Sequence, residues 1–287
     1  MLVAQLLNGI ALGSIYALLA LGFTMVYGIL FFVNFPHGDI LMVGSFVALM
    51  LFKAGVSFWP ALVISMVATA CVAVAIERIA YSRLRGSRRL APLLSALGVS
   101  LVLSNSAMLI FGPKTQPFPQ MLRIDALRVG EVPPIIVFIL LVSVVLMVLL
   151  QLFLKKTVVG IAISAASQNI MAAQLMGINP NFVVSVTFAI GGALAAAGGL
   201  LLCTRYSSIY PSIGVPLMIK AFAACVLGGI GKIPGAVTGG LIIGLAEVLT
   251  VAYVSSSYRD AGAFVALVLV LLIRPSGLFG GRTEVTT

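Results

Sequence analysis

The chain has 287 residues, of which 61% are hydrophobic and 8% charged, with a mean hydropathy of +1.22 and a net charge of +10. A water-soluble domain of this length cannot hide so much apolar surface, so residues 1–287 read as one membrane domain. The expected fold class is all-α: a polytopic integral membrane protein of about eight or nine transmembrane helices.

Nine apolar segments follow one another. They run Leu2–Leu30, Ile40–Phe52, Pro60–Ala80, Pro92–Phe111, Pro133–Leu154, Phe182–Cys203, Pro216–Leu227, Gly235–Val254 and Ala261–Ile273. A full crossing takes about 20 residues, and Ile40–Phe52, Pro216–Leu227 and Ala261–Ile273 are short of that. Two of these three start beside Pro/Gly clusters, Phe35-Pro36-His37-Gly38 and Pro211-Ser212-Ile213-Gly214-Val215-Pro216. Hydrocarbon cannot solvate a free backbone, so both clusters read either as breaks in helices that line a pathway or as loops just outside the bilayer.

Loops rich in Lys and Arg stay in the cytoplasm. Arg78, Arg83, Arg85, Arg88 and Arg89 crowd one connection, which fixes it inside. Alternation then places the loop at about 112–132 outside, where Lys114, Arg123 and Arg128 are offset by Asp125 and Glu131. The loop at about 155–181, with Lys155 and Lys156 at the membrane, falls inside. So do Gly231-Lys232-Ile233-Pro234 and the tail with Arg274 and Arg282, while Ser255–Asp260 and the N-terminus fall outside. The positive charge thus belongs to a surface facing anionic headgroups, and nothing in its spacing suggests nucleic acid. Cys71, Cys203 and Cys225 lie in apolar runs and read as small buried residues, without disulfide or metal spacing. No cleavable signal pattern is visible, and the first span would serve as its own insertion signal.

The twelve residues from His37 to Ala48 can be laid on Ile213 to Ala224 at a constant offset of 176, with Gly, Leu, Met, Phe and the last Ala coinciding. Twelve apolar residues match by chance fairly often, but the derived topology sends the two copies through the membrane in opposite directions. That is the pattern of an inverted repeat, which puts the substrate route between the halves. Expected route residues are His37, Gly38, Asp39, Leu41, Met42, Gly214, Leu217 and Met218. Glycines four apart, Gly9 and Gly13, Gly235 and Gly239, Gly240 and Gly244, predict close helix packing.

Several motifs carry a family resemblance. They are Asn8-Gly9-Ile10-Ala11-Leu12-Gly13-Ser14-Ile15-Tyr16-Ala17-Leu18, Met25-Val26-Tyr27-Gly28, Val33-Asn34-Phe35-Pro36-His37-Gly38-Asp39 and Met176-Gly177-Ile178-Asn179. Val226-Leu227-Gly228-Gly229-Ile230-Gly231-Lys232-Ile233-Pro234-Gly235-Ala236 and Arg274-Pro275-Ser276-Gly277-Leu278-Phe279-Gly280 complete the set. Together, from about Asn8 to Gly280, the chain resembles the LivH-type permease of branched-chain amino-acid ABC importers. The resemblance implies a bacterial inner-membrane subunit with a second, LivM-like permease, two cytoplasmic ATPases that bind the ATP, and a periplasmic substrate-binding protein. It leaves open urea, short amides and aromatic carboxylates as cargo.

The residues agree with that division of labour. Gly231-Lys232 is the nearest approach to a phosphate-cradling loop, but Val226 stands where its first Gly would be and Ile233 replaces the Ser or Thr. One His and few acids leave nothing from which to build a triad or a metal site, so no catalytic residue, metal or cofactor is expected in this chain. A self-contained secondary transporter, the rival class, needs a chain of intramembrane acids or histidines, and only Asp39, His37 and Glu247 are candidates.

Ile161–Met176 has no Gly or Pro, can be helical and is too polar to span. Ile170, Met171 and Leu175 would anchor it on a partner. Ala172, Ala173 and Gly177 resemble the Ala-Ala-x-x-x-Gly of permease loops that touch their ATPases, although Met171 stands where that pattern has Glu. His37 and Asp39 admit two readings. They are polar contacts for a zwitterion, or structural groups, with Asp39 or Asn34 capping the next helix and His37 bonded to a carbonyl. Lys220 and Glu247 lie about one helical turn apart in depth and are expected to pair, with a substrate-carboxylate role for Lys220 as the lesser reading.

Overall fold

The computed structural model describes residues 2–85, 90–119 and 133–280. Arg88, Arg89, Arg123, Asp125, Arg128, Glu131 and Arg282, used above to orient the chain, lie outside the described residues. Eleven α-helices are described: α1 (Leu2–Leu30), α2 (His37–Lys53), α3 (Phe58–Ile76), α4 (Leu90–Phe111), α5 (Pro134–Lys156), α6 (Val158–Gln168), α7 (Ile170–Leu175), α8 (Pro180–Tyr206), α9 (Gly214–Gly228), α10 (Ile233–Tyr253) and α11 (Arg259–Ile273). A π turn, Glu77–Tyr81, and a 3-10 turn, Ser82–Leu84, extend α3 into a 27-residue rod. The strands described are β1 (Gln116–Pro117) and β2 (Ser208–Ile209), one antiparallel ribbon.

Each of the nine apolar segments is a helix. Seven are long and apolar enough to cross a membrane, and α11 becomes one of them only with its 3-10 turn Ser256–Tyr258. The other two, α2 with 17 residues and α9 with 15, are the pair that follows the Pro/Gly clusters. Between α1 and α2 the chain turns at Phe31, whose φ of 55° is left-handed, and re-enters through Pro36. His37 then lies against the middle of α1, with its Nε2 3.2 Å from the Leu19 carbonyl. Helix α2 therefore starts inside the bundle.

The 155–181 loop is not one helix, as expected from Ile161–Met176, but two. Asn169 takes an extended backbone, and its Oδ1 accepts from the Ala172 N–H at 3.0 Å, capping α7. Thr157 caps α6 in the same way and Asn179 caps α8. A side chain that can cap competes with helix continuation, which is why Asn169 splits a stretch free of Gly and Pro.

Helices α1 and α8 cross at the centre of the bundle and are its most buried spans. Helix α10 packs along α1 and α3 along α8, with α9 and α2 filling the remaining sides. The paired glycines make these seams. A Cβ on Gly244 would sit 2.2 Å from the Gly13 backbone N, and one on Gly239 would sit 1.9 Å from the Ala224 carbonyl of α9. Helix α10 thus offers Gly240 and Gly244 to α1 and Gly235 and Gly239 to α9.

The offset of 176 relates more than the twelve matched residues. It carries α1, α2 and α3 onto α8, α9 and α10, and contacts recur in matching pairs. The α1–α10 seam has its counterpart in α3–α8, and α1–α9 in α2–α8. A Cβ on Gly22 would lie 2.9 Å from the Gly191 carbonyl, and one on Gly198, the counterpart of Gly22, meets Ile15, the counterpart of Gly191. Moving along α1 from 15 to 22 moves back along α8 from 198 to 191, so the two run antiparallel. Gly38 and Gly214 meet backbone to backbone: a Cβ on the first would lie 2.1 Å from the Gly214 carbonyl, and one on the second 2.6 Å from the Gly38 carbonyl. Such reciprocal contacts between antiparallel halves are what a two-fold axis through the crossing produces.

Candidate functional site

Five side chains form an ionic cluster where α1, α9, α10 and α11 meet. Lys220 Nζ lies 2.8 Å from Glu247 Oε2 and 2.8 Å from Asp260 Oδ1. Tyr16 donates its hydroxyl to Glu247 Oε2 at 2.7 Å, and Lys220 reaches the same hydroxyl at 3.3 Å. Arg259 Nε stands 3.5 Å from Glu247 Oε1. A buried charge is tolerated only when paired and hydrogen-bonded, and Glu247 has three partners from three helices. The burial is uneven: the Lys220 side chain is 8% exposed and Glu247 2%, but Asp260 is 61% exposed. The cluster forms one wall of a cleft of about 380 Å³, lined also by Tyr206, Tyr210 and Leu217. Arg259 stacks over the Tyr206 ring at 5.5 Å. Sequence spacing brings Lys220 to Glu247 but leaves out the other three residues. Arg259 and Asp260 follow the 3-10 turn in what reads as an exposed loop, and Tyr16 looks like one aromatic in an apolar run.

The residues of the first break follow the structural reading in part: His37 is bonded to a carbonyl as expected, but the expected caps are not made. Asp39 is buried and faces α4, where Ser100 donates to Oδ2 and Ser104 to Oδ1, the latter at 2.7 Å. Neither Asp39 nor Asn34 caps α2: Pro36 holds the N-cap position with no side-chain hydrogen bond, and Asn34 Oδ1 accepts from Tyr81 at 2.9 Å. The capping rule fails because a re-entrant chain brings other helices closer to these groups than their own backbone. His37 is buried on the Leu19 carbonyl and in edge contact with Phe23. Leu41 and Met42 are buried as well, Gly38 is covered by Gly214 and Met218, and of the expected route residues Leu217 alone lines the cleft described above. In this conformation the break is a packed junction and not an open wall.

At the opposite end, Glu77 is a buried charge that the sequence reading passed over inside an apolar segment. Arg85 bonds Oε1, and Ser185 of α8 donates to Oε2 at 2.7 Å. Arg85 also donates to Asn181 Oδ1 at 2.7 Å. The π turn that carries Glu77 also carries Tyr81, so one irregular turn joins the start of α8 to the segment before α2. In α7, Met171, Leu175 and Ala172 face outward, with Met171 75% and Leu175 88% exposed. Ala173 is buried and Ile170 half-buried against the chain itself, so these two support the helix and are not free anchors. Gly177, with φ of 86°, ends α7 in the left-handed conformation that favours glycine. Cys203 and Cys225 are buried as expected, whereas Cys71 is exposed on the outer surface of α3, where the partner would be lipid.

Residues 5–273 match the family model described as the permease component of branched-chain amino acid transport systems. The chain is 41% identical to the high-affinity branched-chain amino acid permease protein BraD of Pseudomonas aeruginosa, across 98% of this chain and 96% of that one. Its identity to the permease protein LivH of Escherichia coli is also 41%, with the same coverage. Among solved structures, PsaBC from Streptococcus pneumoniae matches with a TM-score of 0.52 at 13% identity, over 95% of this chain and 92% of that one, which is a likeness of fold. The motifs that suggested the resemblance are also folded together: Leu278 and Phe279 bond back to the Leu227 and Gly228 carbonyls. The chain is a multi-pass membrane protein and belongs to the family of branched-chain amino acid transport system permease components.

Proposed function

We propose that this chain is one permease subunit of an ABC importer for branched-chain and other hydrophobic amino acids in a bacterial inner membrane. A second, LivM-like permease completes the pathway, two cytoplasmic ATPases bind the ATP, and a periplasmic binding protein delivers the cargo. The observation that carries the reading is the near full-length identity to permeases of such systems. The exposed Met171, Ala172 and Leu175 on a capped helix at the basic end supply a surface for an ATPase. Ala173 and Ile170 hold that surface from behind, and Gly177 lets the chain turn away beneath it.

The test is uptake of labelled leucine, isoleucine and valine into proteoliposomes holding the two permeases and ATPases, with the binding protein outside. The proposal requires uptake to depend on internal ATP and on the binding protein. Uptake driven by an ion gradient without the ATPases, or a preference for urea or short amides over leucine, overturns it.

A further inference from the structure

Lys220 has two anionic partners of different kinds. Glu247 is buried, is held by Tyr16 and Arg259, and stays with it. Asp260 touches it at the same distance, 2.8 Å, but sits on the first turn of α11 with its side chain 61% exposed at the mouth of the cleft. Asp260 is solvated on its outer side and Lys220 keeps Glu247, so of the two pairs the one with Asp260 opens more readily. Its departure would uncover a desolvated ammonium facing a cavity of about 380 Å³ with Tyr206, Tyr210 and Leu217 around it.

The repeat supplies an internal control. The positions 176 residues before Lys220 and Glu247 are Gly44 and Cys71, and the position 176 after Tyr16 is Gly192. There a Cβ on Gly44 would meet Ala196 and Thr69, and one on Gly192 would meet Ala73 and Thr69, all at under 3 Å. The fold makes the equivalent crossing by close packing of small residues. That half makes the crossing without charges, so the crossing alone does not account for the charges in the other half.

We propose that the cleft at Lys220 is a subsite for a small-molecule carboxylate, and that Asp260 fills the subsite when no ligand is there. This rests on the amino-acid permease reading for the identity of the ligand, whose carboxylate would take the place of the Asp260 carboxylate on Lys220. Arg259, anchored on Glu247 and Tyr206, keeps the neighbourhood cationic once Asp260 has moved. The aliphatic side chain of the ligand would lie toward Leu217.

The experiment uses the complete transporter in proteoliposomes with Asp260→Cys and Cys71→Ala, leaving Cys203 and Cys225 buried. The new thiol is modified with two thiosulfonate reagents of equal size, one bearing a sulfonate and one a quaternary ammonium. With Lys220 relieved of its Asp260 partner and still beside Arg259, the anionic reagent is expected to react on the order of tenfold faster. Leucine and isovalerate, which has the carboxylate but no amine, should slow it, and leucinamide should not. Lys220→Arg should keep the preference, and Lys220→Met should abolish it. Equal rates for the two reagents, or equal protection by leucine and leucinamide, overturns the subsite. If leucine is carried but no carboxylate protects, only the subsite falls. If isovalerate protects yet no branched-chain amino acid is carried, the subsite stands and the cargo assignment falls.

Discussion

Replacing Gly38 or Gly214 with alanine tests the junction at the centre of the bundle. The added Cβ at position 38 would stand 2.1 Å from the Gly214 carbonyl oxygen, and ordinary contact begins at 3.4 Å, so α2 and α9 must part by about 1.3 Å. At position 214 the shortfall is about 0.8 Å, against a closest approach of 2.6 Å. In both cases the obstacle is backbone, which cannot rotate away. Overpacking of this kind typically costs about 1–3 kcal/mol, and Gly38→Ala should lie toward the upper end. Both side chains enter one gap, so a single separation accommodates both, and the double variant should cost clearly less than the sum of the two. The assay is thermal unfolding in detergent, followed by reaction of a fluorogenic thiol dye with Cys203 and Cys225 as they become exposed. Gly98→Ala is the control: it lies within α4 with nothing within 4 Å, so alanine there should hold or raise the midpoint by its helix propensity. The reasoning is refuted if Gly38→Ala melts at the native temperature, or if the two glycine variants add fully.

Three other outcomes are expected. Lys220→Met leaves Glu247 buried with Arg259 as its one cation among the described residues, and breaking such a pair costs about 3–5 kcal/mol, so the double variant Lys220→Met with Glu247→Gln should melt higher than Lys220→Met alone. Replacing Ser100 and Ser104 together with alanine strands the Asp39 carboxylate, at about 1.5–3 kcal/mol for each charged hydrogen bond lost, and Asp39→Leu in that background should recover stability. Met171→Glu with Leu175→Glu should remove ATPase co-purification while leaving membrane insertion and melting unchanged, since both side chains are exposed. Ala173→Glu should lower melting as well, because Ala173 is buried.

Much of the fold could be read from the sequence because hydrocarbon enforces it. Runs of apolar residues gave the helices, and the Pro/Gly clusters gave the two short ones that begin inside the bundle. The pairing of Lys220 with Glu247 was readable because both charges stand out in apolar runs at similar depth. What escaped was tertiary. Glu77 is a single acid inside the apolar run Pro60–Ala80, and its burial depends on Ser185 and Arg85 arriving from elsewhere. Asp39 reads as a substrate contact or a cap, and is instead the acceptor for two serines on α4 that no local rule connects to it. The Asn169 break is hard to see because a stretch without Gly or Pro passes for one helix, although a single capping side chain is enough to divide it.

The placement of α1 at the centre sets a timetable for synthesis. It is made well before the helices that cover it, α8 to α10, which begin at Pro180, Gly214 and Ile233. Gly38 waits 176 residues for Gly214, which at about 5–20 residues per second is roughly 9–35 s. Through that interval the glycine seams of α1 and the short α2 lie against lipid or insertion machinery, with Tyr16 lacking the carboxylate it will later bind. The membrane therefore receives α1 and α2 before the helices that bury them, and the junction closes only when α9 and α10 have arrived.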